Sequence, residues 1–212
     1  MSEASVARAQ DVRYGVRLEV FTVLWMIVEA IVSIGAGILA GSLLLTAFGI
    51  DSIIELVSGG ILLWRLAVEA RGGDTERVEG SERRAAMVVA IALALLCVYV
   101  FASAIYGLLT QSKAEGSPVG IGIAAAASIV MPGLGLWKRR LAARLNSGAL
   151  RGDAASSFTC GYMAATVLVG LALNALFHWW WAEDIAALVF LFWLVGETRE
   201  AFEEARGAGD AD

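Results

Sequence analysis

Long apolar segments alternate with short polar ones along the whole chain, and this pattern predicts membrane-spanning helices. A transmembrane helix needs ~20 consecutive, mostly apolar residues to cross a hydrocarbon core of ~30 Å. Six segments approach this length, at residues 18–39, 41–64, 85–109, 119–137, 154–177 and 180–196. The sixth is the least regular, because Glu183 and Asp184 interrupt its start. We therefore expect an all-α, polytopic membrane protein with six transmembrane helices.

The composition agrees with a membrane protein made of a single domain. Of the 212 residues, 58% are hydrophobic and only 17% are charged, which is too apolar for an ordinary soluble domain. We predict one transmembrane domain over residues 1–212, with a cytoplasmic N-terminal segment at residues 1–17 and a short cytoplasmic tail at residues 197–212. Both cysteines fall inside predicted helices, so a disulfide framework is not indicated.

Basic residues lie almost entirely on one side of the predicted bundle. All but one of the 16 Lys and Arg residues precede the first span, follow the second or fourth span, or lie in the C-terminal tail, and only Lys113 lies on the other side. Because cytoplasmic loops are enriched in positive charge, both termini are predicted to be cytoplasmic. The basic loops favour anionic lipid headgroups and do not resemble a nucleic-acid-binding surface. We expect a multi-pass protein of a bacterial inner or plasma membrane.

Two acidic residues interrupt the second apolar segment at its middle. Asp51 and Glu55 lie one helical turn apart, so their side chains share a face. A charged side chain at the membrane centre costs roughly 2.5–3.5 kcal/mol on insertion scales, and such residues usually mark an ion pathway. We interpret the pair as cation ligands; the alternative is a structural pair bonded to a neighbouring helix. Glu29, at mid-depth in the first segment, is either a proton or metal group or a partner of an adjacent helix.

The fifth segment carries a second polar face. Asp153, Ser156, Ser157 and Cys160 follow i, i+3, i+4, i+7 spacing and share one side of a helix. Asp153 is a candidate ligand or entrance residue, but it could instead cap the helix. Cys160 is a candidate ligand or an ordinary buried thiol. The two serines are weaker candidates, because packing or support of the ligands is the commoner role. In one register the two acids of the second segment align with Ser156 and Cys160, in another with Asp153 and Ser157, and the sequence does not choose.

The acidic second segment resembles the second helix of the cation diffusion facilitator family. Residues 41–47, followed by Asp51 and Glu55, are similar to that helix, in which an acid or a histidine precedes an Asp by four residues. Residues 180–188 are similar to the start of the family's sixth helix, which reads Trp-x-x-Asp-Pro-x-x-Ala-Leu. The resemblance extends over all six spans.

The fifth segment resembles the family only in part. The family's fifth helix reads Ser-x-x-Leu-x-Ala-Asp-x-x-His-x-x-x-Asp, and residues 147–153 match its opening. Ser156 stands at the histidine position and Cys160 at the final Asp. Only about sixteen residues follow the last predicted span, so we expect the family's cytoplasmic domain to be absent. We expect a homodimer, which without that domain must be held by membrane helices through faces of small residues.

The resemblance implies a divalent metal cation transporter, with zinc the expected ion, that exports metal from the cytoplasm in exchange for protons. Metal binding requires the ligands to lose protons, and an emptied buried site tends to regain them. No enzymatic activity and no prosthetic group are expected. The alternative is a transport-deficient relative that acts as a metal-binding or scaffold subunit. The predicted metal residues are Asp51, Glu55, Asp153, Cys160, Ser156, Ser157 and Glu29.

Overall fold

The computed structural model describes residues 3–70, 76–111, 115–145 and 147–207, and the regular structure in these ranges is helical. Six α-helices follow one another, namely α1 (Glu3–Ala40), α2 (Leu43–Ala70), α3 (Glu76–Thr110), α4 (Pro118–Leu145), α5 (Gly148–Phe177) and α6 (Ala182–Gly207). The first five contain stretches long and apolar enough to cross a membrane, and α6 is less apolar. The prediction of an all-α, multi-pass membrane protein is confirmed. Lys113 and Arg71, on which the predicted orientation partly depends, lie outside the described residues.

Most of the helices extend beyond the apolar segments that predict them. Helix α1 begins at Glu3, α4 continues to Leu145 and α6 continues to Gly207. Backbone hydrogen bonds do not end where the apolar side chains end, because polar side chains at a helix end are solvated without breaking the helix. The sixth helix therefore does not stop at Gly196, and the residues that follow remain part of it.

The start of α5 decides one of the alternatives for Asp153. Ser147 has extended backbone angles and its hydroxyl accepts a hydrogen bond from the Leu150 N–H, so Ser147 is the N-cap. Asp153 lies inside the helix and does not cap it. The capping interpretation of Asp153 is therefore wrong.

A tight turn joins α1 and α2 at the predicted outer end of the bundle. Gly41 has a φ of +63°, a left-handed conformation that glycine adopts without steric penalty. The Ser42 hydroxyl then accepts a hydrogen bond from the Leu45 N–H at 3.2 Å and caps α2. The two helices pack closely against each other here, because a Cβ added to Gly37 would collide with Thr46. Such small-residue contacts are typical of helix packing in membranes.

Helix α2 is the central helix of the bundle. It packs against α1, α3, α5 and α6, whereas α4 packs mainly against α5 and α1. Large apolar side chains on the outer faces, such as Ile31, Leu39, Ile129 and Phe192, are more than half exposed and are available to lipid. Polar side chains on the inner faces of α2 are consequently surrounded by other helices.

Candidate metal site

Helix α2 buries both of its acidic side chains within the bundle. Asp51 is 0% exposed and Glu55 is 6% exposed. Because α2 lies between four other helices, the face that carries these two acids meets protein and not lipid. Both oxygens of Asp51 and the Oε2 of Glu55 are buried without a hydrogen-bond partner among the described residues. An unpaired buried carboxylate is costly, so this arrangement requires a cation or protons to neutralise it.

A third carboxylate joins the pair from α6. One oxygen each from Asp51, Glu55 and Glu197 lies within 4.8 Å of the others. Glu197 is only partly buried as a residue, but its Oε2 is buried and has no hydrogen-bond partner among the described residues. We call these three residues the central carboxylate cluster. Oxygen atoms at this spacing, contributed by two helices, can bind a single divalent cation.

A serine of α5 bridges two members of the cluster. The Ser156 Oγ lies 3.0 Å from Glu55 Oε1 and 3.1 Å from Glu197 Oε1. A hydroxyl carries one hydrogen, so it can donate to only one carboxylate at a time. For both contacts to be hydrogen bonds, one of the two carboxyl groups must carry a proton and donate it to the serine oxygen. This geometry therefore accommodates a proton between the two carboxyl groups.

Glu29 and Cys160 lie beside the cluster and interact with each other. The Glu29 carboxylate accepts hydrogen bonds from Ser52 Oγ at 2.8 Å and from Trp25 Nε1 at 2.7 Å. The Cys160 thiol lies 3.7 Å from Glu29 Oε1 and is fully buried. Glu29 thus has protein donors on both of its oxygens, unlike the three acids of the cluster. Its metal role and that of Cys160 stay predictions.

Asp153 lies with a different set of charges. Its Oδ2 is 2.5 Å from the Lys138 Nζ of α4, and the same ammonium lies 3.3 Å from Glu19 Oε2 of α1. Lys138 and Glu19 are both 0% exposed. We call Glu19, Lys138 and Asp153 the ion triad. Because the triad gives Asp153 a protein cation as its partner, the structure does not bring Asp153 into the central carboxylate cluster.

The two serines predicted as ligands differ in their surroundings. Ser156 contacts the cluster, whereas the Ser157 hydroxyl donates to the Asp153 carbonyl of its own helix at 3.0 Å. Of the two registers left open by the sequence, the structure thus brings Ser156 and Cys160, and not Asp153, to the level of the α2 acids and Glu29. Whether any of these side chains binds metal stays a prediction.

Sequence reasoning missed Glu197 and Lys138. Glu197 directly follows the apolar segment that ends at Gly196, and the sequence pattern therefore places it in the cytoplasmic tail. Lys138 follows Trp137 at an apparent membrane boundary and was counted among the basic loop residues. One signal was available for Glu197. It lies thirteen residues after Asp184 with no proline between them, so a continuous helix places it about 20 Å from the predicted outer end. That depth in the membrane can be compared with the depth of Glu55.

Comparison with known proteins gives two matches. The sequence model of the cation efflux transmembrane domain matches residues 20–207, which is most of the chain. The uncharacterized transporter sll1263 of Synechocystis is 27% identical over 158 residues. That alignment covers 73% of this chain and 51% of the relative, so the chain spans about half the length of the protein it matches. Both matches are to transport proteins and not to enzymes.

Proposed function

The chain belongs to the cation efflux family, and on that premise we propose that it carries a divalent cation across the membrane through the central carboxylate cluster. The observation that carries the proposal is the convergence of three acids from α2 and α6 within 4.8 Å, with four carboxylate oxygens buried and unpartnered among the described residues. Anionic oxygens without protein hydrogen-bond donors are available to bind a cation that enters and then leaves the site.

The same geometry supports exchange with protons. Three carboxylates at this spacing repel one another, and at an effective dielectric constant of ~20 two ionised groups ~4 Å apart interact by about 4 kcal/mol. A divalent cation removes this repulsion when the site is loaded, and protons remove it when the site is empty. The Ser156 bridge between Glu55 and Glu197 accommodates one such proton. Metal and protons then compete for one site, which couples their movement in opposite directions.

Zinc, or a similar first-row transition metal, is the cation we propose, with export from the cytoplasm as the direction. Zinc accepts carboxylate oxygens as ligands, and the nearby Cys160 thiol adds a soft donor to the surroundings of an oxygen-rich cluster. Movement of helices around a midplane site would give alternating access. Homodimeric assembly through membrane helices is part of the same proposal.

Asp51→Asn tests the proposal. This change keeps the size of the side chain but removes one charged ligand, so metal uptake into proteoliposomes should be lost while the purified protein remains folded. The assay follows an entrapped zinc-sensitive dye and a pH dye together, because coupled exchange moves zinc and protons in opposite directions. Ser33→Ala is the control, since Ser33 is also fully buried with no hydrogen-bond partner among the described residues, but is not a member of the cluster.

Three outcomes separate the candidates. Loss of transport in Asp51→Asn but not in Ser33→Ala supports the proposal. Wild-type transport by Asp51→Asn contradicts the assignment of the cluster. Metal binding by the native protein without any transport would favour the alternative, a binding or scaffold subunit.

A further inference from the structure

A pair of acids, Glu183 and Asp184, lies in the first turn of α6, thirteen or more residues before Glu197. A cavity opens there between the start of α2, the end of α3 and the start of α6, at the predicted outer end of the bundle. It is lined by Gly41, Leu43, Leu44, Ser103, Tyr106, Trp180, Glu183 and Asp184. We call it the outer cavity. Its side chains offer two carboxylates and two hydroxyls as oxygen ligands, and the Trp180 indole N–H is a hydrogen-bond donor that cannot bind a cation.

The two acids of the outer cavity have different surroundings. Glu183 is satisfied by protein donors, since one oxygen accepts a hydrogen bond from the Ser42 hydroxyl and the other from Asn174 Nδ2 at 2.7 Å. Asp184 is only 8% exposed as a residue and lines the outer cavity, and it has no hydrogen bond or ion pair among the described residues. A carboxylate on a largely buried residue that opens into a cavity and lacks a protein partner is in the state that a cation ligand requires.

The neighbouring helix leaves room for the Asp184 carboxylate. Gly107 of α3 faces it so closely that a Cβ at position 107 would collide with Asp184 Oδ1. Any other residue at this position would force the carboxylate to move. Because position 107 has no side chain, the Asp184 carboxylate has room beside Glu183, whose negative charge also lies at the outer cavity.

The outer cavity and the central carboxylate cluster lie along the same pair of helices. Leu44 and Asp51 are separated by about 10 Å along α2, and Asp184 and Glu197 by about 20 Å along α6, at 1.5 Å per residue. The intervening part of the α2 and α6 faces is closed by apolar side chains, including the fully buried Phe48 and Phe190. The cavity is therefore a separate site and not an extension of the cluster.

We propose that Asp184 is the principal ligand of a second cation site in the outer cavity, where Glu183 adds negative charge and Ser103 and Tyr106 offer hydroxyl oxygens. With oxygen donors only and an opening to one side, the site suits a hard, partly hydrated divalent cation. A cation released from the central carboxylate cluster would be held there on its way out. That role rests on the proposed function, whereas cation binding in the outer cavity does not.

Binding of Mn²⁺ to the purified full-length protein in detergent tests the site, because free Mn²⁺ gives an electron paramagnetic resonance signal that bound Mn²⁺ loses. The background variant carries Asp51→Asn and Glu55→Gln, which disable the central carboxylate cluster. It should still bind one Mn²⁺. Adding Asp184→Asn should weaken that binding by about tenfold or more, the usual effect of losing one charged contact.

Two further variants separate a ligand from a helix-capping acid. Gly107→Ala keeps every charge but displaces the Asp184 carboxylate, so it should also weaken Mn²⁺ binding in the background variant. Glu115→Gln removes an exposed acid near the same end of the bundle and should leave binding unchanged. If Asp184 only stabilises the first turn of α6, Asp184→Asn lowers the unfolding temperature and leaves Mn²⁺ binding as it was.

The proposal is overturned if the background variant binds no Mn²⁺, or if its binding does not respond to Asp184→Asn or Gly107→Ala. The central carboxylate cluster is judged separately, by the difference in Mn²⁺ stoichiometry between the native protein and the background variant. A negative result for one site therefore does not change the conclusion about the other site.

Discussion

Glu197→Gln is expected to separate stability from function. When metal is absent, Glu197 either repels the other acids of the central carboxylate cluster or must share in the protons that relieve this repulsion, and when metal is present it shares the cation. Its ligand oxygen lies within 4.8 Å of those of Asp51 and Glu55. At an effective dielectric constant of ~20, two ionised groups at that distance repel by about 3 kcal/mol. Replacing Glu197 with a neutral amide removes that repulsion and keeps the size of the side chain. The metal-free variant should therefore be at least as stable as the native protein.

The effect on metal binding should have the opposite sign. Loss of one charged ligand is expected to weaken zinc binding about a hundredfold, which corresponds to about 2.7 kcal/mol and lies within the range for contacts to charged groups. At a zinc concentration a hundred times the native Kd, bound metal stabilises the native protein by about 2.7 kcal/mol. The same concentration would stabilise the variant by only about 0.4 kcal/mol.

The assay is thermal unfolding in detergent with and without zinc, combined with zinc transport in proteoliposomes. Glu200→Gln is the matched control, since Glu200 lies on the same helix but is exposed. The reasoning fails if Glu197→Gln keeps the full zinc-induced stabilisation and the native transport rate. It also fails if the metal-free variant is markedly less stable, because Glu197 would then be a structural residue.

Two further predictions concern residues beside the cluster. Lys138→Met should destabilise the protein by about 3–5 kcal/mol in denaturant unfolding, because it leaves the buried Glu19 carboxylate and the partly buried Asp153 carboxylate without a cation. Adding Glu19→Gln should recover part of the loss, and unchanged stability of the single variant would show that the ion triad contributes little. Cys160→Ser should leave transport of Mn²⁺ near the native rate and reduce transport of Cd²⁺, because a hydroxyl is a poor substitute for a thiol toward soft ions. Equal effects on the two metals in competition assays would argue that Cys160 acts only in packing.

The pattern of apolar and polar residues was sufficient to predict the membrane helices and to single out the two acids of α2. Apolar segments of about 20 residues have few stable structures other than helices in a bilayer, so length and composition alone identify them. Asp51 and Glu55 were also recognisable, because acids in the middle of an apolar segment are costly in any arrangement of neighbouring helices. Helical spacing likewise grouped Ser156 and Cys160 on one face of α5.

The tertiary structure decided which side chains from different helices meet. Periodicity relates residues within one helix, but it says nothing about the depth or rotation of that helix against its neighbours. Glu197 follows the end of an apolar segment, and only the continuation of α6 and its packing beside α2 and α5 bring its carboxylate to Asp51 and Glu55. Asp153 lies about two turns before Cys160 on the same face of α5, yet Lys138 of α4 pairs with it. A single sequence can indicate the depth of Glu197 along α6, but not which side chains it meets, because that depends on distances between helices that only the packed bundle defines.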